Sequence, residues 1–145
     1  MFKSVNLLRL GQGQELLTEL RNYCEKKSIT SGLILGMIGS FESVTFLKMA
    51  RRDAKTGSQL KEEHDEYRGR LSILSGQGSL SKYNGERIFH IHMCIKDFQK
   101  PEEFIGGHLE RAIVRATAEI YIGELSYQLE RDFDPQMGIS ILRTT

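Results

Sequence analysis

The chain has 145 residues, and its 20 Lys and Arg nearly balance 19 Asp and Glu, for a formal net charge of +1. An apolar fraction of 39% and a charged fraction of 27% are ordinary for a soluble globular protein. They exclude a chain held by global charge to nucleic acid or acidic lipid, and leave room only for a local basic patch. The length suits one domain, residues 1–145, with a core large enough to need no disulfide framework.

Cys24 and Cys94 are far apart and form no CxxC motif. Arg9 interrupts the apolar stretch after Met1, so no signal peptide is expected. The longest apolar-rich run, Leu33 to Phe41, is far short of the roughly 20 residues that span a bilayer. Cytoplasmic residence without membrane contact is the expectation.

Phe2 to Leu10 alternates loosely and predicts a strand. The segment GQGQELLTELRNYCEKKS predicts a helix, with Leu16, Leu17, Leu20, Tyr23 and Cys24 on one stripe. Glu15 near its start and Lys26 and Lys27 near its end suit the helix dipole. A strand, a break at Gly39-Ser40 and a second strand from about Ser43 to Met49 follow. RRDAKTGSQ reads as a polar loop, and Leu60 to Tyr67 as a charged edge strand. GRLSILSGQGSLS predicts a strand broken at Gly76 or Gly78. Asn84-Gly85 is a turn leading into the strand ERIFHIHMCIKD. AIVRATAEIYIGEL predicts another strand, and DPQMG a turn before a last strand in ISILR. The expected class is α+β: a mainly antiparallel sheet of about seven strands packed with one principal helix.

Three of the four histidines lie between Phe89 and Leu109. Residues i and i+2 of a strand share a face about 6.6 Å apart, so His90 and His92 project together. His108 comes sixteen residues after His92, room for a loop that turns back, and Gly106-Gly107 permits a sharp bend or a close approach there. Three imidazoles suit zinc, iron, nickel or copper, and leave a coordination position open. An HxH pair is also the ordinary outcome of two polar positions in a strand; the third histidine after Gly-Gly favours a metal. Cys94, on the same face, reads as a small packed side chain rather than a fourth ligand. His64, within KEEHDEY, reads as a solvated surface residue.

The ordered pieces GRLSILSGQGSLS, HIHMCIKD, IGGHL and TAEIYIGEL, with the LRLGQGQELLTEL segment before them, resemble the PPC (plants and prokaryotes conserved) domain over nearly the whole chain. The resemblance implies a homotrimer with zinc bound through His90, His92 and His108. It implies structural rather than site roles for Arg9, Gly32, Gly36 and Gly39. In plants the family joins this domain to DNA-binding AT-hooks, so a DNA-associated or regulatory module is the first expectation. Arg68-Gly69-Arg70 resembles a hook core but lacks flanking prolines, and Arg51, Arg52, Lys55 and Lys61 offer a basic loop. The alternatives are a zinc-dependent metalloenzyme, with Glu119 or Tyr67 as base, and a sensor that takes a small anionic ligand at the open metal position.

Overall fold

The computed structural model describes residues 1–48, 63–100 and 102–143. The order of elements is β1 (Phe2–Gly11), α1 (Leu16–Lys26), β2 (Gly32–Lys48), β3 (Glu63–Tyr83), β4 (Glu86–Asp97), β5 (Phe104–Leu125), β6 (Arg131–Asp134) and β7 (Ile139–Leu142). Seven strands and one helix match the expected class, but the strands divide unevenly. Five form the main sheet in the order β1-β5-β2-β3-β4, and β6 and β7 make a separate hairpin. All the strand pairings are antiparallel.

β4 also pairs with the first part of β5, so β2, β3, β4 and β5 close into a ring. Alternation decides what each strand gives to its interior. On β4, Ile91, Met93 and Ile95 are buried, while His90, His92 and Cys94 face the other way. Phe41, Val44, Leu71, Leu109, Ala112 and Val114 complete the same core.

The helix seals one side. Glu15 caps it, accepting hydrogen bonds from Leu17 N (3.1 Å) and Thr18 N (2.8 Å). The same carboxylate accepts from Ala112 N (3.3 Å), which ties the helix to β5; burial pushes the Glu15 carboxyl up, but its hydrogen bonds, those from Thr18 above all, hold it below its usual range. Leu16 and Leu20 are fully buried, each worth about 2 kcal/mol of apolar transfer. Cys24 is buried too, and burial pushes its thiol up to about 11, so it packs as an inert apolar group.

Two expectations about glycine need correction, and at a third the structure chooses between the alternatives. Gly39 does not end a strand: β2 runs through it, with register shifts on either side of the position. Its φ of 141° lies outside the range of ordinary residues, and a Cβ there would fall 2.2 Å from Thr117 O of β5. Gly76 and Gly78 likewise sit within the unbroken β3. Gly106 and Gly107 are strand residues paired with Cys94 and Met93, not a bend, so β5 begins eight residues before the predicted start at Ala112. Gly39, Gly78 and Gly106 answer to a neighbouring backbone that comes close, while Gly76 and Gly107 face the side chains of Met37 and Phe46.

Arg68-Gly69-Arg70 lies inside β3, and Arg68 pairs with Glu66 at 2.6 Å, so this segment is strand and not an extended hook. The basic loop with Arg51, Arg52, Lys55 and Lys61 lies outside the described residues, as does the start of the charged edge strand. The rest of that strand, Glu63 to Tyr67, pairs with β2 but precedes the β3–β4 ladder, which starts at Leu71. No helix among the described residues is long and apolar enough to cross a membrane.

Candidate metal centre

The ring closure of β4 onto β5 builds the site. His92 pairs directly with His108 across the two strands, and His90 lies two residues back on the same face of β4. Ring centroids are 5.0 Å apart for His90 and His92, 4.9 Å for His90 and His108, and 5.3 Å for His92 and His108. One ligand atom from each histidine lies within 4.8 Å of the others, so the group could hold a metal ion. The Nε2 atoms of His90 and His92 are 3.0 Å apart. A tetrahedral ion with nitrogen ligands at about 2.0–2.1 Å would set them about 3.3 Å apart, so small ring movements suffice.

Electrostatics keep the donors ready. Burial, then the neighbouring His108, Arg131 and His92, lowers His90 to about 4. Burial and His92 lower His108 as well, with Glu110 opposing. Both rings are therefore neutral near pH 7, the charge state that metal ligation requires.

Gly78 of β3 is needed here. It pairs with Ile91, and a Cβ on it would lie 2.2 Å from the backbone oxygen of His90. Gly106 has a similar task on β5, where a Cβ would lie 2.9 Å from Met93 O. Gly107 is less constrained, since its Cβ would meet Phe46 at 3.4 Å.

The remaining candidates fall elsewhere. Cys94 shares the outer face but is not one of the clustered ligands. Glu119 sits eleven residues beyond His108 on β5, on the order of 30 Å along the strand, and accepts from the Tyr121 hydroxyl (3.0 Å). Tyr67 packs against Phe46 on the core side, with centroids 6.1 Å apart. Neither reaches the histidines. His64 is not merely solvated: it pairs with Glu110, which follows His108 by two residues.

Arg131 is the residue that sequence reasoning missed. It opens β6 and is only 8% exposed. Its guanidinium donates to Ser81 Oγ (3.0 Å), Ser79 Oγ (3.4 Å), Ser140 O (3.0 Å) and His90 Nδ1 (3.0 Å). Desolvation lowers its pKa from the usual guanidinium range. A guanidinium can only donate, so His90 Nδ1 is an acceptor and the proton of the neutral ring rests on Nε2, facing His92. Arg131, His90 and His92 border a cavity of about 510 Å³ whose other wall is Ile139, Ile141 and Leu142 of β7. An arginine some forty residues after HxH has no spacing signature; only the fold brings it there.

The chain resembles known proteins along its length. A solved metal-containing protein of Archaeoglobus fulgidus is 28% identical and superposes with a TM-score of 0.81, covering 99% of this chain and 96% of that one. A structure from Bacteroides thetaiotaomicron described as a "putative dna binding protein" is 22% identical with a TM-score of 0.82, covering 99% and 94%. Among curated proteins, the bifunctional protein GlmU of Synechococcus sp. (strain JA-3-3Ab) is 32% identical over 133 residues. That stretch is 90% of this chain but 19% of the relative, so the chain spans about a fifth of the length of that protein. The family model of the Plants and Prokaryotes Conserved (PCC) domain matches residues 2–126. With the histidine pair, the Gly-Gly-His segment and the fold all in place, the chain belongs to the Plants and Prokaryotes Conserved domain family, abbreviated PPC above.

Proposed function

We propose that this chain is a single-domain, cytoplasmic, zinc-binding member of the family that assembles as a homotrimer and acts as a regulatory module. His90, His92 and His108 are the ligands, and the fourth coordination position is open to a small molecule. The observation that carries this reading is the convergence of three imidazole donors within 4.8 Å on paired strands. The Archaeoglobus neighbour, a metal-containing protein, supports it. Three imidazole nitrogen donors with no thiolate suit zinc at an open site.

The trimer rests on family resemblance and has one physical support. Val5, Leu7 and Ile38 are 63%, 55% and 60% exposed. Leu7 pairs with Tyr121, and Tyr121 with Gly36; Arg9 pairs with Glu119, and Glu119 with Ile38. Directly paired residues share a face, so Val5, Leu7 and Ile38 lie on one surface with Tyr121, Arg9 and Glu119, a mixed apolar and charged face that a second copy would cover. The test is metal analysis of the purified protein together with its mass in solution. One zinc per chain in a three-chain species is expected; metal-free protein after chelator-free purification would overturn the metal assignment.

DNA association is the second reading, favoured by the name of the Bacteroides neighbour. Phosphate contacts release counterions, so DNA affinity falling steeply with salt would support it, and no binding at low salt would remove it. A catalytic use of the open position would draw on Glu110 beside His108 rather than on Glu119.

A further inference from the structure

A buried cation usually has an anion beside it, because removing charge from water is costly. Arg131 has none. Among the described residues no carboxylate pairs with it. Its two acidic neighbours close in sequence are turned away: Asp132 and Glu130 both pair with Arg143, at 2.7 Å and 3.3 Å. Serine hydroxyls, a backbone carbonyl and a histidine nitrogen take its donors instead. The cavity it borders has no acidic side chain in its lining. Arg131 and the histidine pair border that cavity side by side, and Ile139, Ile141 and Leu142 of β7 line it too.

We propose that Arg131 and the open metal position together bind a small organic acid, with the carboxylate on the guanidinium and a second oxygen on the metal. The proposal rests on the metal reading above and adds the ligand class to it. Its geometry follows from the His90 ring. Arg131 lies 3.0 Å from Nδ1, and an ion would sit on Nε2 across the same ring. Guanidinium nitrogen and ion would then be about 7 Å apart, with zinc–nitrogen at about 2.0–2.1 Å. A short alkyl substituent would lie along Ile139 and Ile141.

Arg131 lies beyond residues 2–126, the segment matched by the family model.

The test uses the full chain loaded with cobalt in place of zinc, so that the metal's visible absorption reports its coordination. Lactate, its neutral amide lactamide, and the variants R131Q and R131K are the probes. Lactate is expected to change the cobalt spectrum at concentrations at least about tenfold below lactamide, since the carboxylate adds a charge-assisted pair. R131Q should keep one cobalt per chain and raise the half-saturating lactate concentration by about tenfold or more, with R131K between the two. Equal responses to lactate and lactamide in the wild type would overturn the proposal, and that comparison needs no variant to fold. So would a lactate response unchanged in cobalt-loaded R131Q. Failure of the wild-type protein to take up cobalt would overturn the metal reading itself, a result separate from lactate-insensitive cobalt.

Discussion

β5 serves two ends of the molecule, and the two ends differ in what they show to the outside. Its first half pairs with β4 and β2 and turns His108 outward beside His92. Its second half pairs with β1 and β2 and lies in a surface carrying Val5, Leu7 and Ile38. The inner face is apolar along the whole strand, from Leu109 to Ile122. Burial alone therefore does not distinguish the halves. The difference lies outside: convergent imidazole nitrogens suit a ligand at one end, and exposed aliphatic carbon suits a partner surface at the other.

Substitutions at each end should separate the two. His92→Ala, the largest effect, should take metal content from one ion per chain to about none while leaving the fold intact, because His92 is exposed and the core does not use it. Elemental analysis beside a circular dichroism melt checks this; undiminished metal in the variant would remove His92 from the site. At the other end, Leu7→Asp should reduce the three-chain mass to one chain without loss of metal, as read by light scattering. A trimer that persists would place the interface elsewhere.

Gly78→Ala should act on the histidine end through the backbone. The new Cβ would lie 2.2 Å from His90 O, so β3 and β4 must part, at a cost of about 3 kcal/mol and with weaker metal binding. A denaturant titration reads the first effect and a metal titration the second. Gly107→Ala should cost less, because its Cβ meets only Phe46 at 3.4 Å. Equal losses for the two would show that the β3–β4 approach does not control the site.

The pH response is smaller. His90 is lowered in the folded state to about 4 from 6.5, chiefly by burial, so between those values the unfolded chain binds more protons than the folded one. Stability of the metal-free protein is therefore full above about pH 6.5 and falls as pH drops toward 4, by about 1 kcal/mol after allowance for solvent screening. His90→Gln should flatten this part of the curve in melts at several pH values. The smallest effect expected is Glu15→Ala, which removes a helix cap far from both ends. It should lower stability by about 1 kcal/mol and leave metal content and mass unchanged.

Much of the site could be read before the fold was known. The period of two that puts His90 and His92 on one face is local geometry, and it holds in any strand. The helix stripe at Leu16, Leu20 and Cys24 is legible for the same reason. Gly39 and Gly78 were read wrongly as breaks, and Gly106-Gly107 as either a bend or a close approach, because sequence does not say whether a glycine turns its own chain or makes room for another. Gly39, Gly78 and Gly106 all make room.

By itself the sequence determined the class of fold, the single amphipathic helix and a histidine pair aimed to one side. Tertiary structure alone decided that β4 closes onto β5 to set His108 directly opposite His92. It also decided that the β6–β7 hairpin delivers a buried arginine to His90. The physical reason is that such pairings depend on strand register and on which surfaces are left to bury. These are properties of distant segments meeting, and no spacing along one chain records them.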